Sequence, residues 1–471
     1  MIMRHVPSIA LAALAACLAG CTVGPDYNAP APGVPDTWSE AVPGGEAAPA
    51  TAWWRGFGDA QLETLITTAL DDNIDVQIAV ARLAEAEART TSERAANWPS
   101  VDASADASAS GDISGDASSS TGAGLGAALA FVPDVFGGRR RQIEQVEATA
   151  AARRFDIEDV KRVTAASIAE RYIELRRSRA RLDLLTTSLE LQQQTLDIVR
   201  QRAEAGLSAD LDVQRAASDL ARTRAQRGSL DIAEARSLHD LAILTGALPG
   251  TLGLEPAAET TIPDFADPVA PGVPADLLRR RADLQAAERD LAAASAAIGV
   301  ATAELYPAFS IPGSITADLG SADRLVGDAV ARIGAAVDVP VFDAGRRRAG
   351  VDIAEARAEQ SLLTYRQTLL EAVGEVEDAL VSIRAVEART AELERAVTAS
   401  EQAFDQLDAL YREGLASFID ILDAQRTLID SRESLLDSQA DHALAVIALH
   451  RALGAPVDPA LNPGGAPDSR S

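Results

Sequence analysis

The stretch Val101-Asp-Ala-Ser-Ala-Asp-Ala-Ser-Ala-Ser110 decides the fold class. Every odd position is Val or Ala, and every even position is Asp or Ser. A strict period of two marks a strand with one apolar and one polar face. Three further runs alternate in the same way. Ala123, Leu125, Ala127, Leu129 and Phe131 alternate with Gly or Ala, and Phe309, Ile311, Ile315, Ala317 and Leu319 with mostly Ser, Thr and Asp. Ala331, Ile333, Ala335 and Val337 alternate with Arg332, Gly334, Ala336 and Asp338. Each run has about 10 residues, the length of a tilted strand that crosses a bilayer. The periodicity alone fits two soluble hairpins equally well.

Working outward, the strands sit inside an internal duplication at an offset of 208. Asp75-Val76-Gln77 matches Asp283-Leu284-Gln285, Trp98-Pro99 matches Tyr306-Pro307, and Gly206-Leu207 matches Gly414-Leu415. Leu244-Thr245-Gly246 matches Ala452-Leu453-Gly454, and the triplets Arg139–Arg141 and Arg346–Arg348 fall one residue out of step. Each copy reads as helix, two strands, a very long helix, a turn and a helix. The expected first repeat is 59–248, with strands 100–110 and 121–132 and a helix-hairpin tip near 206. A Pro-rich stretch, 249–274, reads as a surface linker. The second repeat is 275–454, with strands 309–319 and 329–339 and a tip near 414, followed by a flexible tail, 455–471.

The segments 139–201 and 346–412 contain no proline, and each could extend roughly 90–100 Å as a helix. In the second, Leu362, Tyr365, Leu369, Val373, Val376, Leu380 and Ile383 step by three or four, a coiled-coil seam. Three arginines in a helix's first turn oppose its dipole. Arg139 and Arg346 therefore read as membrane-interface anchors, alongside Trp98 and Tyr306 at the strand entrances; ordinary solvated arginines are the plainer alternative.

A net charge of −27 disfavours nucleic acid. The two cysteines, Cys17 and Cys21, lie near the start and the four histidines are scattered, so no metal site, cofactor site or thiol chemistry is expected. No nucleophile–base pair or phosphate loop is present either, and an enzyme is not expected. Residues 1–20 read as a lipoprotein signal peptide, Leu18-Ala-Gly-Cys21 being lipobox-like, with Cys21 as the acylated first residue of an extended anchor segment, 21–58. No later stretch approaches the ~20 apolar residues of a membrane helix. Any crossing would be made by strands. Four strands cannot close a barrel and lipid does not tolerate an open edge, so the chain would pool strands with copies of itself.

The opening Cys21-Thr-Val-Gly-Pro-Asp-Tyr27, the segment Trp53-Trp-Arg-Gly-Phe57, and Tyr411-Arg-Glu-Gly414 running on to Ile419-Asp-Ile-Leu-Asp-Ala424 resemble the outer membrane factor (TolC-like) family, in its lipoprotein branch. The resemblance covers Cys21 to about Leu453. It implies a mainly α fold with a transmembrane β-barrel: a homotrimer sharing 12 strands, continued by a long periplasmic coiled-coil α-barrel. It also implies an outer-membrane exit duct of a tripartite efflux pump, working with a periplasmic adaptor protein and an inner-membrane resistance-nodulation-division transporter and anchored in outer-membrane lipid. Two alternatives are the same duct serving protein export and a non-spanning periplasmic scaffold lipoprotein.

The tips carry the remaining chemistry. Gly206 and Gly414 fit left-handed helix caps. Asp210, Asp212, Asp420 and Asp423 follow in the returning helices, where capping alone explains about one Asp per turn. The resemblance implies that Asp212, Asp420 and Asp423, with Tyr411, line a constricted entrance gate. It also implies that Gly206, Leu207, Gly414 and Leu415 are adaptor-contact tips. Ala416 stands where relatives can carry an Arg, which puts a gate salt bridge there in doubt.

Overall fold

The computed structural model describes residues 22–31, 33–39, 52–111, 119–254, 261–266, 271–320 and 329–454. Cys21, the signal segment and the tail lie outside the described residues, as do 112–118 and 321–328 of the hairpin connections. In order the elements are α1 (Ala60–Asp72), α2 (Ile74–Ala95), β1 (Ser100–Gly111), β2 (Ser119–Phe131), α3 (Gly138–Glu204) and α4 (Asp210–Leu244). The same order then repeats: α5 (Ala282–Ala303), β3 (Ala308–Gly320), β4 (Ala329–Ile333), β5 (Ala336–Asp338), α6 (Arg346–Arg412) and α7 (Phe418–Ala452). The mates have equal lengths, 67 residues for α3 and α6 and 35 for α4 and α7. Two compact units result, one from 1–32, 81–155 and 285–367, the other from 33–80, 156–284 and 368–471.

The first unit holds an antiparallel sheet in the order β1-β2-β3-β4. Its register sorts the side chains. Val101 faces Leu129, Ala105 faces Leu125, Leu125 faces Ala317, Ala127 faces Ile315, and Gly313 faces Ile333. One face is therefore apolar from edge to edge. Ser104 pairs with Gly126, Asp106 with Gly124, Gly126 with Thr316 and Ser314 with Arg332, so the opposite face is polar. Gly126 is small for a reason: a Cβ there would lie 2.7 Å from Ser104 Oγ. The fourth alternating run is broken into β4 and β5, unlike the single strand 329–339 read from its pattern. Pro312 has no N–H for the ladder, and its carbonyl instead accepts from Gly334 N at 2.9 Å across the break.

An N-terminal strap, Thr22–Tyr27, is clamped to this unit. Val23 N donates to Phe136 O at 3.1 Å, and Tyr27 Oη donates to a carboxylate oxygen of Glu288. Gly24 has φ 89°, and a Cβ there would meet Gly299 Cα at 2.4 Å. No other residue fits.

The second unit is helical. Its apolar cluster joins Trp53, Trp54 and Phe57 of a 3-10 turn with Leu62 and Ile66 of α1, Ile168 and Ile173 of α3, and Ala443 and Ile447 of α7. Where it is described, the Pro-rich stretch runs over the surface and anchors three side chains. Leu252, Ile262 and Phe265 pack on this cluster, and Phe265 stands edge-on to Phe57 at 5.1 Å. Asp59 ties the turn to the long helix. One carboxylate oxygen caps α1 by accepting from Gln61 N (2.9 Å) and Leu62 N (3.1 Å). The other accepts from Tyr172 Oη at 2.7 Å and Arg176 Nη1 at 2.8 Å. Asp59→Ala removes both the cap and the partner of a buried cation, and should destabilise the helical unit by about 3 kcal/mol. Asp59→Asn should keep much of the cap and cost less. Thermal melts of the two variants, followed by circular dichroism, check the order.

Candidate functional site

The hairpin tips are built alike. Gly206 (φ 71°) and Gly414 (φ 78°) take the left-handed conformation that ends each long helix. At the first tip Leu207 N donates to Arg202 O at 2.8 Å and Gly206 N to Ala203 O at 2.9 Å. At the second, Leu415 N donates to Leu410 O at 2.8 Å and Gly414 N to Tyr411 O at 3.0 Å. Both are Schellman closures, which satisfy carbonyls that a helix end leaves orphaned. They push Leu207 and Leu415 outward, 68% and 76% exposed.

Behind the tips Leu196, Val199, Leu220, Phe404, Phe418 and Ile421 form a small core. Tyr411 is buried in it, with the Arg202 guanidinium 4.9 Å from its ring centroid. Burial, more than any neighbouring group, holds the Tyr411 phenol above its usual pKa. Arg202 also donates to the Tyr411 and Arg412 carbonyls at 3.0 and 3.4 Å, so a side chain of one tip caps the other helix. Arg202 escaped the sequence reading because its repeat mate is Leu410, and a residue present in one copy leaves no periodic signal. Asp219 escaped it too. This acid is buried, bonded to Arg426 at 2.6 Å and to Gln192 at 3.3 Å.

The tip acids divide by environment. Asp212 accepts from Ser208 Oγ at 3.2 Å and faces Arg215 at 3.5 Å. Asp420 is the reciprocal member of a capping box: Ser417 Oγ accepts from Asp420 N, and the Asp420 carboxylate accepts from Ser417 N at 3.1 Å and Ser417 Oγ at 2.7 Å. Asp210 and Asp423 are exposed, and Asp423 lines a shallow groove with Asp420, Ile419 and Ser400. Within one chain, then, Asp420 has a capping role.

The membrane-interface candidates are dispersed around the sheet unit. Trp98 is 76% exposed just before β1; Tyr306 precedes β3 and stacks on Phe136 at 4.8 Å. Phe342, also in this unit, is 89% exposed after β5, and it lies outside any alternating run. Arg346 is exposed and Arg139 half-buried. The third arginine of the first triplet, Arg141, is buried and donates to Val23 O (3.2 Å), Asp26 (2.7 Å) and Glu144 (2.8 Å). It clamps the strap and does not reach outward. The adverse dipole of an arginine-rich first turn is offset by two acids. Asp134 accepts from Arg139 N and Arg140 N, and Asp343 from Gly345 N and Arg347 N.

The bonds from Ser417 hold the Asp420 carboxyl below its ordinary pKa. A depressed carboxylate contributes stability above its unfolded pKa, and that contribution disappears as pH falls through the folded value. Acidification below the usual carboxylate range should therefore fray the first turn of α7. Amide exchange of residues 418–422 should speed up in acid relative to the rest of α7, and Asp420→Ala should show the fast exchange already at neutral pH.

Comparison with known proteins places this geometry. The model of the family described as "Outer membrane efflux protein" matches residues 65–247 and 273–455, two segments that begin 208 residues apart. The chain is 32% identical over 460 residues to Nodulation protein T of Rhizobium leguminosarum bv. viciae, covering 96% of this chain and 95% of that one. It is 30% identical to the cation efflux system protein CusC of Escherichia coli K12 over 452 residues, covering 94% and 97%. Its fold superposes on the outer-membrane channel OprN with a TM-score of 0.83 at 30% identity, over 93% of this chain and 100% of that one.

Proposed function

Because the chain belongs to the outer membrane efflux protein family, we propose that it is the outer-membrane channel of a tripartite efflux pump, a passive trimeric duct for small molecules. The observation that carries the reading is the two-faced sheet. Its apolar face, from Val101 through Leu129 and Ile315 to Ile333, suits hydrocarbon; its polar face, with Ser104, Asp106 and Thr316, suits a wet lumen. The outer edges of β1 and β4 have no partner strand among the described residues. An open edge is not tolerated in lipid, so edges from neighbouring copies would pair. Three copies of four strand runs, β4 and β5 counting as one, give a 12-stranded barrel.

Cys21 is then the lipid-attachment residue. Its neighbour in sequence, Thr22, belongs to the sheet unit, where its Oγ1 accepts from Arg140 Nη1 at 3.1 Å at the start of α3. Trp98, Tyr306, Arg139, Arg346 and Phe342 would ring the membrane interface. Leu207 and Leu415, lifted by Gly206 and Gly414, would meet the periplasmic adaptor, which links the duct to an inner-membrane resistance-nodulation-division transporter. Asp212, Asp420 and Asp423 would line the entrance, with Tyr411 as its packed backing. Around a threefold axis these carboxylates would gather in rings that attract cations.

Two measurements test the reading. Leu129→Arg or Ile333→Arg should cost ~2–4 kcal/mol at midplane depth, while Ser104→Arg and Thr316→Arg should be mild. Equal effects on both faces in folding titrations from bilayers would sink the barrel. In planar bilayers, the double variant Asp420→Ala with Asp423→Ala should lose block by multivalent cations and change its single-channel conductance. Unchanged block would leave both residues with structural roles alone.

A further inference from the structure

The root of the sheet holds a cleft that a passive duct does not require. It measures about 430 Å³ and lies within the sheet unit, between the β2–α3 connection, the end of α5, and the starts of β3 and α6. One wall is aromatic. Phe136 stacks on Tyr306 at 4.8 Å and on Phe309 at 6.4 Å. Phe309 pairs with Val337 and has the strand parity of Ile315, so it belongs to the apolar face of the sheet. The aromatic wall continues that face toward the helices.

The remainder of the lining is charged: Asp134, Arg139, Glu304, Asp338, Arg346 and Arg347. Two of these are engaged within the chain. Asp134 accepts from the Arg139 and Arg140 amides, and Arg347 faces Asp343 at 3.4 Å. The side chains of Arg139, Glu304, Asp338 and Arg346 make no ion pair among the described residues. Arg139 Nε is buried and has no hydrogen-bond partner among them. A buried guanidinium donor without an acceptor is costly, which points to an acceptor from outside the chain.

Two guanidiniums and two carboxylates in one cleft make a balanced set. A plain anion would meet Glu304 and Asp338, and a plain cation would meet Arg139 and Arg346. A zwitterion complements both pairs, and guanidinium suits its phosphate. We propose that the cleft seats the headgroup of a zwitterionic aminophospholipid. The phosphate lies on Arg139 and Arg346, the ammonium on Glu304 and Asp338, and the acyl chains pass Phe136 and Phe309 onto the sheet. Free phosphate would leave the aromatic wall and both carboxylates unused. An acyl group on Cys21 would bring neither phosphate nor ammonium. The site rests on the membrane-spanning reading above and adds to it a bound lipid of stated chemistry.

Native mass spectrometry of the full-length protein tests it. Delipidated in detergent and titrated with either lipid, the unmodified chain should retain phosphatidylethanolamine in preference to phosphatidylglycerol. Denaturing the same sample should release the lipid, which distinguishes it from any acyl group on Cys21. Arg139→Gln with Arg346→Gln should lower retention of both lipids about tenfold. Glu304→Gln with Asp338→Asn should reverse the preference toward phosphatidylglycerol, an outcome that loss of the fold does not produce. Equal retention of the two lipids by the unmodified chain, or a preference that neither double variant moves, overturns the site. Planar-bilayer recording of the unmodified chain tests the duct separately. Channels without retained lipid overturn the site alone, whereas a chain that forms no channel overturns the duct and the site with it.

Discussion

A backbone amide in hydrocarbon must find a hydrogen-bond partner within protein, since the solvent offers none. That constraint gives the short sheet its meaning. Among the described residues each strand satisfies its neighbours, but the outer edges of β1 and β4 have no partner strand. On the proposed reading, copies would supply the remaining strands, and a one-residue slip would turn Asp and Ser toward lipid. Gly122, Gly124 and Gly126 beside the polar residues of β1 keep that face open.

Arginine does most of the polar joining in the helical unit. With Lys161 the only lysine, the chain uses the planar, multiply donating guanidinium where one side chain must satisfy several acceptors. Arg281 is 3% exposed and bonds Asp283, Glu375 and the Ala452 carbonyl; burial works against its charge, and the two carboxylates raise its pKa nonetheless. Arg176 does the same among Asp59, Tyr172 and Thr261. Such sites tolerate removal of neither partner. They explain how long helices with weakly one-sided patterns hold fixed neighbours.

Period and repetition made the broad plan readable. The alternation at 101–110, the proline-free runs and the matched glycines are local patterns, each legible without knowing which partners the element finds. What stayed hidden depended on distant partners or on one copy only. Nothing near Arg141 in sequence announced its clamp on Val23 and Asp26, which joins residues more than a hundred positions apart. Arg202 had no mate, and Ser417 was overlooked beside Asp420, although a Ser three residues before an acid is a capping signal in its own right. The stretch 249–274 read as a surface linker because proline announces a broken helix and says nothing of what Phe265 will touch.

Arg202 has a further consequence. Two copies of a unit that had diverged nowhere would close a ring with equivalent contacts at every hairpin. This chain places a cation over a tyrosine at one junction and Leu410 at the corresponding position of the next. Neighbouring junctions of such a ring would differ in stiffness and charge, alternating stapled and unstapled around the axis. Two kinds of crevice would alternate strictly along the rim of such a ring.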